Sequence, residues 1–543
     1  MSEVTANLLQ VVIPALSKHA VFQDDLVKKH AGQSLVQRAI DKARLTGLTS
    51  QNILVVTDLD EVCLIAERNG AHPVHHVDST TDLFDVLKQY SAQSVEKNLN
   101  RSNILLLSPY APLLAVEELI DAYRVFVAKD LDVLRPVRHE SHRIFVDRVP
   151  ALEESVMAAQ GESLTLDSLA FLIFGGRLLQ DSAAPLVVTP WTLQNQVVEI
   201  ETLQDWWVSE KLLRRRRIVF RVIGNNEVGM GHIYRSLALA HELSDHEIMF
   251  VCDSKSYGVV NQLAGYDYWL GVVDEENIVS AILELKPDLV INDVLDTTRE
   301  YIEKLKQNDV LVVNFEDLGS GAAVADLTIN ELYDEPVIEG ERILWGHRYF
   351  FVREEFEAAA PHQLSERVDS VLLTFGGTDK NELTLAIYKA IRELCQSLGV
   401  HIHIVTGPGY LGYDKLFDEV ERKGGASVTH ATGVMSRIME QTAVAITSNG
   451  RTVYELAHMN IPSIVVPQHE RERTHSFACE ATGFVPMLSY QKGVSETKIK
   501  KTLERLLTDN EFRAQLMNNI GPYSFESNKK AVLREILSLF KDV

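Results

Sequence analysis

Among the residues that can move a proton at neutral pH, His232 stands at a junction that invites chemistry. The stretch RVIGNNEVGMGHIYRSLALAHEL (221–243) leaves a strand-like run, passes through glycines and continues as an amphipathic helix that starts near the histidine. A histidine with its ordinary pKa near 6.5 can be neutral at pH 7 and take a proton from water. Gly224, Gly229 and Gly231 permit positive φ and a close backbone approach to a ligand. The free amides and dipole of a helix N-terminus favour an anion such as a pyrophosphate. Glycine-rich bends also occur merely to make tight turns, and a lone histidine there can serve only to cap or pack. On this loop alone both readings stand.

Two further junctions add candidates. SNGRTVYELAHMNIPSIVVP (448–467) opens a helix with Gly450, Arg451 and Thr452, which could meet phosphates. Glu455 follows one turn later, placed to accept two hydrogen bonds from a ribose diol or simply to complement the helix dipole. LLTFGGTDKNELT (372–384) supplies Gly376, Gly377 and Thr378 at a third strand-to-helix bend.

These junctions need strands and helices to hold them. Residues 8–210 alternate short apolar runs (LLQVVIPA, NILVVTD, NILLLSP, LDVLRPV) with helical patterns, the rhythm of a mostly parallel sheet covered by helices. A second rhythm starts at RIVFRVI and passes through EIMFVCD, PDLVIND, VLVVNFED and DLTIN. A third runs from SVLLTFGG through VHIHIVTGPG, VAITSNG, IPSIVVP and FVPMLS to a final amphipathic helix, NKKAVLREILSLF. Between them REEFEAAAPHQLSERVD (353–369), with its alanine run and proline, reads as a hinge. The expected fold is α/β with three Rossmann-like units: residues 1–213, then 217–353 and 368–543 as a pair around a cleft.

Composition narrows the partners. At 543 residues the length allows about three or four domains. A net charge of −23 disfavours nucleic acid as a general partner, and the basic run Arg214–Arg217 reads as an exposed helix end. Four scattered cysteines (Cys63, Cys252, Cys395, Cys479) without a CxxC pair argue against disulfides and zinc knuckles and fit a reducing cytoplasm. No run of about 18 apolar residues and no secretory leader is evident, so a cytoplasmic protein without a membrane anchor is expected.

Taken in order, GMGHIYRSLALA, PDLVINDV, GHRYFFVREEF, LLTFGGTDKNELT and SNGRTVYELAHMNIPSIVVP make residues 217–540 resemble the UDP-sugar hydrolase of pseudaminic acid biosynthesis, within the GT-B group of two-Rossmann-domain folds. The resemblance implies removal of UDP from a 2,4-diacetamido-2,4,6-trideoxy sugar by water attacking the anomeric carbon. It implies that His232 activates the water and that Glu455 and Thr452 belong to the nucleotide site, with Arg221, Asn225 and Tyr349 toward the substrate. No metal is required if amides and helix N-termini stabilise the departing UDP. One departure stands out: an acidic residue usual shortly after the position of Arg221 is Ile223 here, with Asn225, Asn226 and Glu227 as substitutes.

Residues 9–212 resemble cytidylyltransferases of the CMP-sialic acid synthetase type, through VVIPALSKH, AGQSLVQRAIDKA, VTDLDEVCLIAERNGAHPV, DSTTDLFDVL, LLLSPYAPLL and VEIETLQDWWVSEKLL. Such an enzyme joins CTP to a nine-carbon sugar acid and holds Mg²⁺ with carboxylates. Arginines of that family are replaced by Leu16 and Leu114, its glycine loop survives only as SKH around Lys18, and its paired aspartates become Glu199 and Glu201. Lys28 and Lys29 could replace lost positive charge or be ordinary surface lysines. His72, His75 and His76 alternate faces on a strand and so make a poor metal set. The expectation is a cytidylyltransferase fold of doubtful activity, serving as an inactive binding or homodimer-forming module, with Mg²⁺ and CTP or a CMP-sugar as ligands if it is active. Two rivals to the hydrolase remain: a GT-B glycosyltransferase using an acceptor hydroxyl, and a non-catalytic sugar-nucleotide binding protein.

Overall fold

A computed structural model describes residues 9–47, 53–76, 82–93, 99–141, 163–180, 186–194, 197–225 and 228–540. The chain divides into two units, residues 1–215 and 216–543.

In the first unit one sheet runs in the strand order Val188–Thr192, Val133–Ser141, Phe171–Gly175, Asn103–Leu107, Leu9–Ala15, Ile53–Thr57, His72–His75. The strands are parallel except Phe171–Gly175, which runs antiparallel to both neighbours, and Ser163–Asp167, which pairs antiparallel with Val133–Ser141. Strand Ile53–Thr57 is buried at every position, as a strand covered on both faces must be. The helix Leu203–Leu213 ends the unit and begins with a capping box between Thr202 and Asp205. Arg214 lies at its C-terminal end and pairs with Glu210, but Arg217 opens the next strand and pairs with Glu247. The basic run is therefore split between a helix end and a sheet.

The second unit holds two sheets. The first has seven parallel strands in the order Trp269–Val273, Glu247–Asp253, Arg217–Val222, Leu289–Asp293, Leu311–Phe315, Leu327–Asn330, Ile343–Trp345. The second has six, in the order Ala426–His430, His401–Thr406, Ser370–Thr374, Val444–Thr447, Ser463–Val465, Phe484–Pro486. Each begins at its centre, winds to one edge and then crosses over to the other, the doubly wound order whose switch point opens a crevice at the carboxyl ends of the strands. The last helix, Asn528–Leu537, returns to the first half: Val532, Ile536 and Phe540 share a core with Ile218, Phe220 and Phe315.

The segment expected as a hinge is docked at its start. Phe356 is fully buried with Tyr454 and Phe477 of the second half, the Glu355 carboxylate accepts from the Ser436 amide (3.1 Å), and the His362 amide donates to the Met459 carbonyl (2.8 Å). The sequence reading missed this because an alanine run and a proline say nothing about an aromatic two residues before the run that finds a pocket. Among the described residues no helix is long and apolar enough to cross a membrane.

Candidate active site

The strand Arg217–Val222 ends in the glycine loop, which turns at Gly229 with φ +83° before the helix Gly231–Glu242 begins. His232, the second residue of that helix, is 8% exposed and faces a cavity of about 610 Å³ between the two halves. Its Nδ1 lies 2.7 Å from Oδ1 of Asp293, the last residue of the strand Leu289–Asp293. A buried, ionised carboxylate only accepts, so Nδ1 carries a proton, and in the neutral imidazole Nε2 is the nitrogen with the lone pair.

One turn along the same helix, Arg235 fixes that carboxylate. Its Nε donates to Asp293 Oδ2 (2.8 Å) and a terminal nitrogen to Oδ1 (2.5 Å), while the Ser236 hydroxyl donates to Oδ2 (3.1 Å). The other terminal nitrogen of Arg235 reaches Glu316 (2.9 Å) and Glu331 (2.7 Å), which follow the next two strands. Burial alone would push Asp293 upward. The Arg235 guanidinium, with hydrogen bonds from Arg235 and His232, instead holds it well below the usual carboxylate range. Glu316 likewise resists burial and sits at about 2, held down by Arg235 and then Arg451. Burial also works against charge on Arg235, but Asp293 and Glu316 more than offset it and hold the guanidinium above its ordinary value.

The second half closes the cavity. Gly377 packs against the glycine loop of the first half: a Cβ there would lie 3.2 Å from Gly229 Cα and 3.3 Å from Met230 N. Gly376, at φ +72°, Thr378, Gly450, Thr452 and Glu455 line the same space, as do Gly229 and Gly231 opposite. The helix after Gly376–Gly377 does not offer a bare N-terminus. Asp379 accepts from the amides of Leu383 (2.9 Å) and Thr384 (2.8 Å), so any anion at this loop meets loop amides alone.

Arg451 lines the cavity but is committed elsewhere. Its guanidinium lies over the Phe350 ring at 4.5 Å, donates to the Phe351 carbonyl (3.3 Å) and pairs with Glu331 across the cleft. Burial, then repulsion from Arg235, brings it down to about 10. Arg451 thus ties the two halves and lines the cavity where the phosphate contact was expected. Glu455 has one oxygen engaged by Arg353 Nε at 3.0 Å, and Arg353 also pairs with Glu355.

Three expected substrate residues lie outside the cavity lining. Arg221 pairs with Glu275 (2.9 Å) and lies over the Tyr301 ring, because strand alternation turns it to the face opposite the neighbouring Val222. Asn225 bridges to Gly229 and its side-chain oxygen accepts from the Val228 amide (3.2 Å), so it shapes the loop. Tyr349 packs against the core of the first half. Asn226 and Glu227 fall outside the described residues.

In the first unit Leu16 and Leu114 are buried in its cores. Lys18 and Glu201 are exposed. Glu199 spends one oxygen on the Ser168 hydroxyl (2.6 Å) and the other on the Leu169 amide (2.9 Å), so it does not fit the role of a Mg²⁺ ligand. Lys28 lies over the Phe22 ring at 5.5 Å, and His75 faces Asp60 at 3.6 Å. Among the described residues no group of three or more His, Cys, Asp or Glu is gathered as a metal site.

The sequence reading missed Asp293, Arg235, Glu316, Glu331 and Arg353. A signal was present: three successive strands of the first half, VIND, VNF and TIN, end on or just before an acid. What the sequence did not show is that one arginine gathers all three.

Residues 371–534 match the model of the glycosyltransferase family 28 C-terminal domain. The chain is 27% identical over 270 residues to an uncharacterised protein of Methanocaldococcus jannaschii, covering 46% of this chain and 55% of that protein. It is 26% identical over 263 residues to the spore coat polysaccharide biosynthesis protein SpsG of Bacillus subtilis, covering 46% and 76%. To the UDP-2,4-diacetamido-2,4,6-trideoxy-beta-L-altropyranose hydrolase of Campylobacter jejuni it is 26% identical over 179 residues, covering 32% and 64%. The chain thus spans about half the length of the first of these relatives. Fold and matched domain define the class: an α/β protein with Rossmann-like parallel sheets, GT-B-like in its second unit, whose last half matches the model of the glycosyltransferase family 28 C-terminal domain.

Proposed function

We propose that the second unit is a nucleotide-sugar hydrolase that releases UDP from a UDP-activated 2,4-diacetamido-2,4,6-trideoxy sugar. The observation that carries this reading is the His232–Asp293 pair, 2.7 Å apart at the wall of the cleft. A water held by Nε2 attacks the anomeric carbon. The new C–O bond forms as the bond to the β-phosphate oxygen breaks, the electron pair leaves with UDP, and the water proton passes to Nε2. Asp293 stabilises the resulting imidazolium, an interaction stronger in the transition state than before it. In this reading the loops of Gly376, Gly377 and Gly450 hold the diphosphate through backbone amides and Glu455 accepts from the ribose; all four residues line the cavity. The partial similarity to the Campylobacter jejuni hydrolase supports the choice of sugar class.

The family 28 domain favours a second reading, transfer of the sugar to an acceptor hydroxyl by the same base. Incubation with UDP-diacetamido sugars in ¹⁸O-water separates the two. Free sugar carrying ¹⁸O at its anomeric carbon, lost in His232→Ala, supports hydrolysis. Release only when an acceptor is added supports transfer, and UDP binding without release supports a binding protein.

We infer that the first unit is a cytidylyltransferase-like scaffold rather than a second catalyst, because Leu16 and Leu114, where the resemblance expects arginines to neutralise CTP, are apolar and buried. Pyrophosphate release from CTP and a nine-carbon sugar acid with Mg²⁺ would overturn that.

A further inference from the structure

We propose that Glu316 is the sugar-side binding carboxylate of the cleft, accepting a hydroxyl or amide hydrogen from the glycosyl group of the bound nucleotide sugar. The proposal rests on the nucleotide-sugar reading above and adds the residue that recognises the sugar.

Glu316 follows the strand Leu311–Phe315 with φ +51°, a left-handed backbone that non-glycine residues rarely adopt and that persists only where surroundings over-determine it. Those surroundings are present. Its amide donates to the Ile329 carbonyl (3.0 Å), and its own carbonyl accepts from the Arg471 guanidinium of the opposite half. Its side chain is 11% exposed and lines the cavity. Oε1 accepts from Arg235, and among the described residues no protein group donates to Oε2. One oxygen is thus held in place by the protein and the other is left to the cavity, where a ligand donor can meet it in place of water.

Glu455 has the same arrangement in the facing half, with Oε1 on Arg353 and, among the described residues, no protein donor on Oε2. Each half therefore presents to the cavity a carboxylate oriented by one arginine. Around Glu316 four carboxylates (Asp293, Asp296, Glu316, Glu331) face three guanidiniums (Arg235, Arg451, Arg471). That excess of negative charge repels a diphosphate and suits hydrogen-bond donors, so the glycosyl group is the part of the ligand that belongs there.

The test uses the full chain carrying His232→Ala, which prevents turnover, and calorimetric titration with UDP and with UDP-2,4-diacetamido-2,4,6-trideoxyaltrose. Adding Glu316→Gln keeps an oxygen for Arg235 and turns an NH₂ group into the cavity, so a donor then opposes the sugar's donor. The expected result is a roughly ten- to hundredfold loss of affinity for the sugar nucleotide, the range for a hydrogen bond to a charged group, with UDP affinity unchanged within twofold. Glu316→Ala should give the same pattern, and urea midpoints for both variants monitor folding. Equal weakening of both ligands, or no weakening of the sugar nucleotide, overturns the proposal. Failure of the His232→Ala chain to bind UDP at all overturns the nucleotide-sugar reading itself, and this assignment with it.

Discussion

Replacing Asp293 by asparagine tests the chemistry at its most constrained point. Asp293 is fully buried and receives hydrogen bonds from His232, two nitrogens of Arg235 and Ser236. Asparagine keeps the shape but offers only one oxygen. Arg235, the stronger donor, takes that oxygen, and the new NH₂ group is turned toward His232 Nδ1. The imidazole then accepts at Nδ1 and carries its proton on Nε2, where it can no longer take one from water. The equivalent tautomer error in a serine-protease triad costs about 10⁴ in kcat, and a loss of roughly 10³–10⁴ is expected here. Stability should fall by roughly 3 kcal/mol, the low end for breaking a buried ion pair, because Glu316 and Glu331 still pair with Arg235. The assay is UDP release under saturating sugar nucleotide, with urea unfolding alongside. A variant that folds and keeps kcat within tenfold of the parent would refute the base assignment, since no other group on this wall fixes the tautomer.

Three further outcomes follow from the same geometry. Gly377→Val should lower kcat/KM at least tenfold, because its Cβ alone would press on Gly229 and Met230 and its methyls would wedge the halves apart; steady-state kinetics read this, and an unchanged value would mean the halves need not close. Acid should destabilise the second unit: Glu316 titrates at about 2 in the fold against an ordinary 4.5, so its contribution, on the order of 3 kcal/mol, is full above 4.5 and lost as pH falls from there toward 2. Urea midpoints from pH 6 to pH 3 should fall accordingly, and the fall should be smaller in Glu316→Gln. The first unit should release no pyrophosphate from CTP with Mg²⁺, and Leu16→Arg should lower its urea midpoint by putting a charge into a closed core, without conferring turnover.

Much of this protein was written in its sequence. Apolar runs at regular spacing fixed the strands, because burial on both faces of a parallel sheet demands them, and glycines at strand–helix bends marked loops that line the cavity. That His232, the glycines and Glu455 share one cavity lining agrees with a local pattern that needs only neighbours in the chain. Local pattern failed where partners come from afar. Arg451 read as a phosphate contact, and the sequence did not show that a glutamate more than a hundred residues earlier and the ring of Phe350 also hold it. Arg221 read as a substrate contact, but it lies on the other face of its strand with Glu275 and Tyr301. Asp293, Glu316 and Glu331 sat in plain view at strand ends, and their meaning came only from Arg235, buried where three strands and one helix converge. A single sequence specifies which elements form, since that depends on nearby residues. Which charges neutralise one another is decided by tertiary packing, because a buried charge takes whichever partner the fold brings within reach.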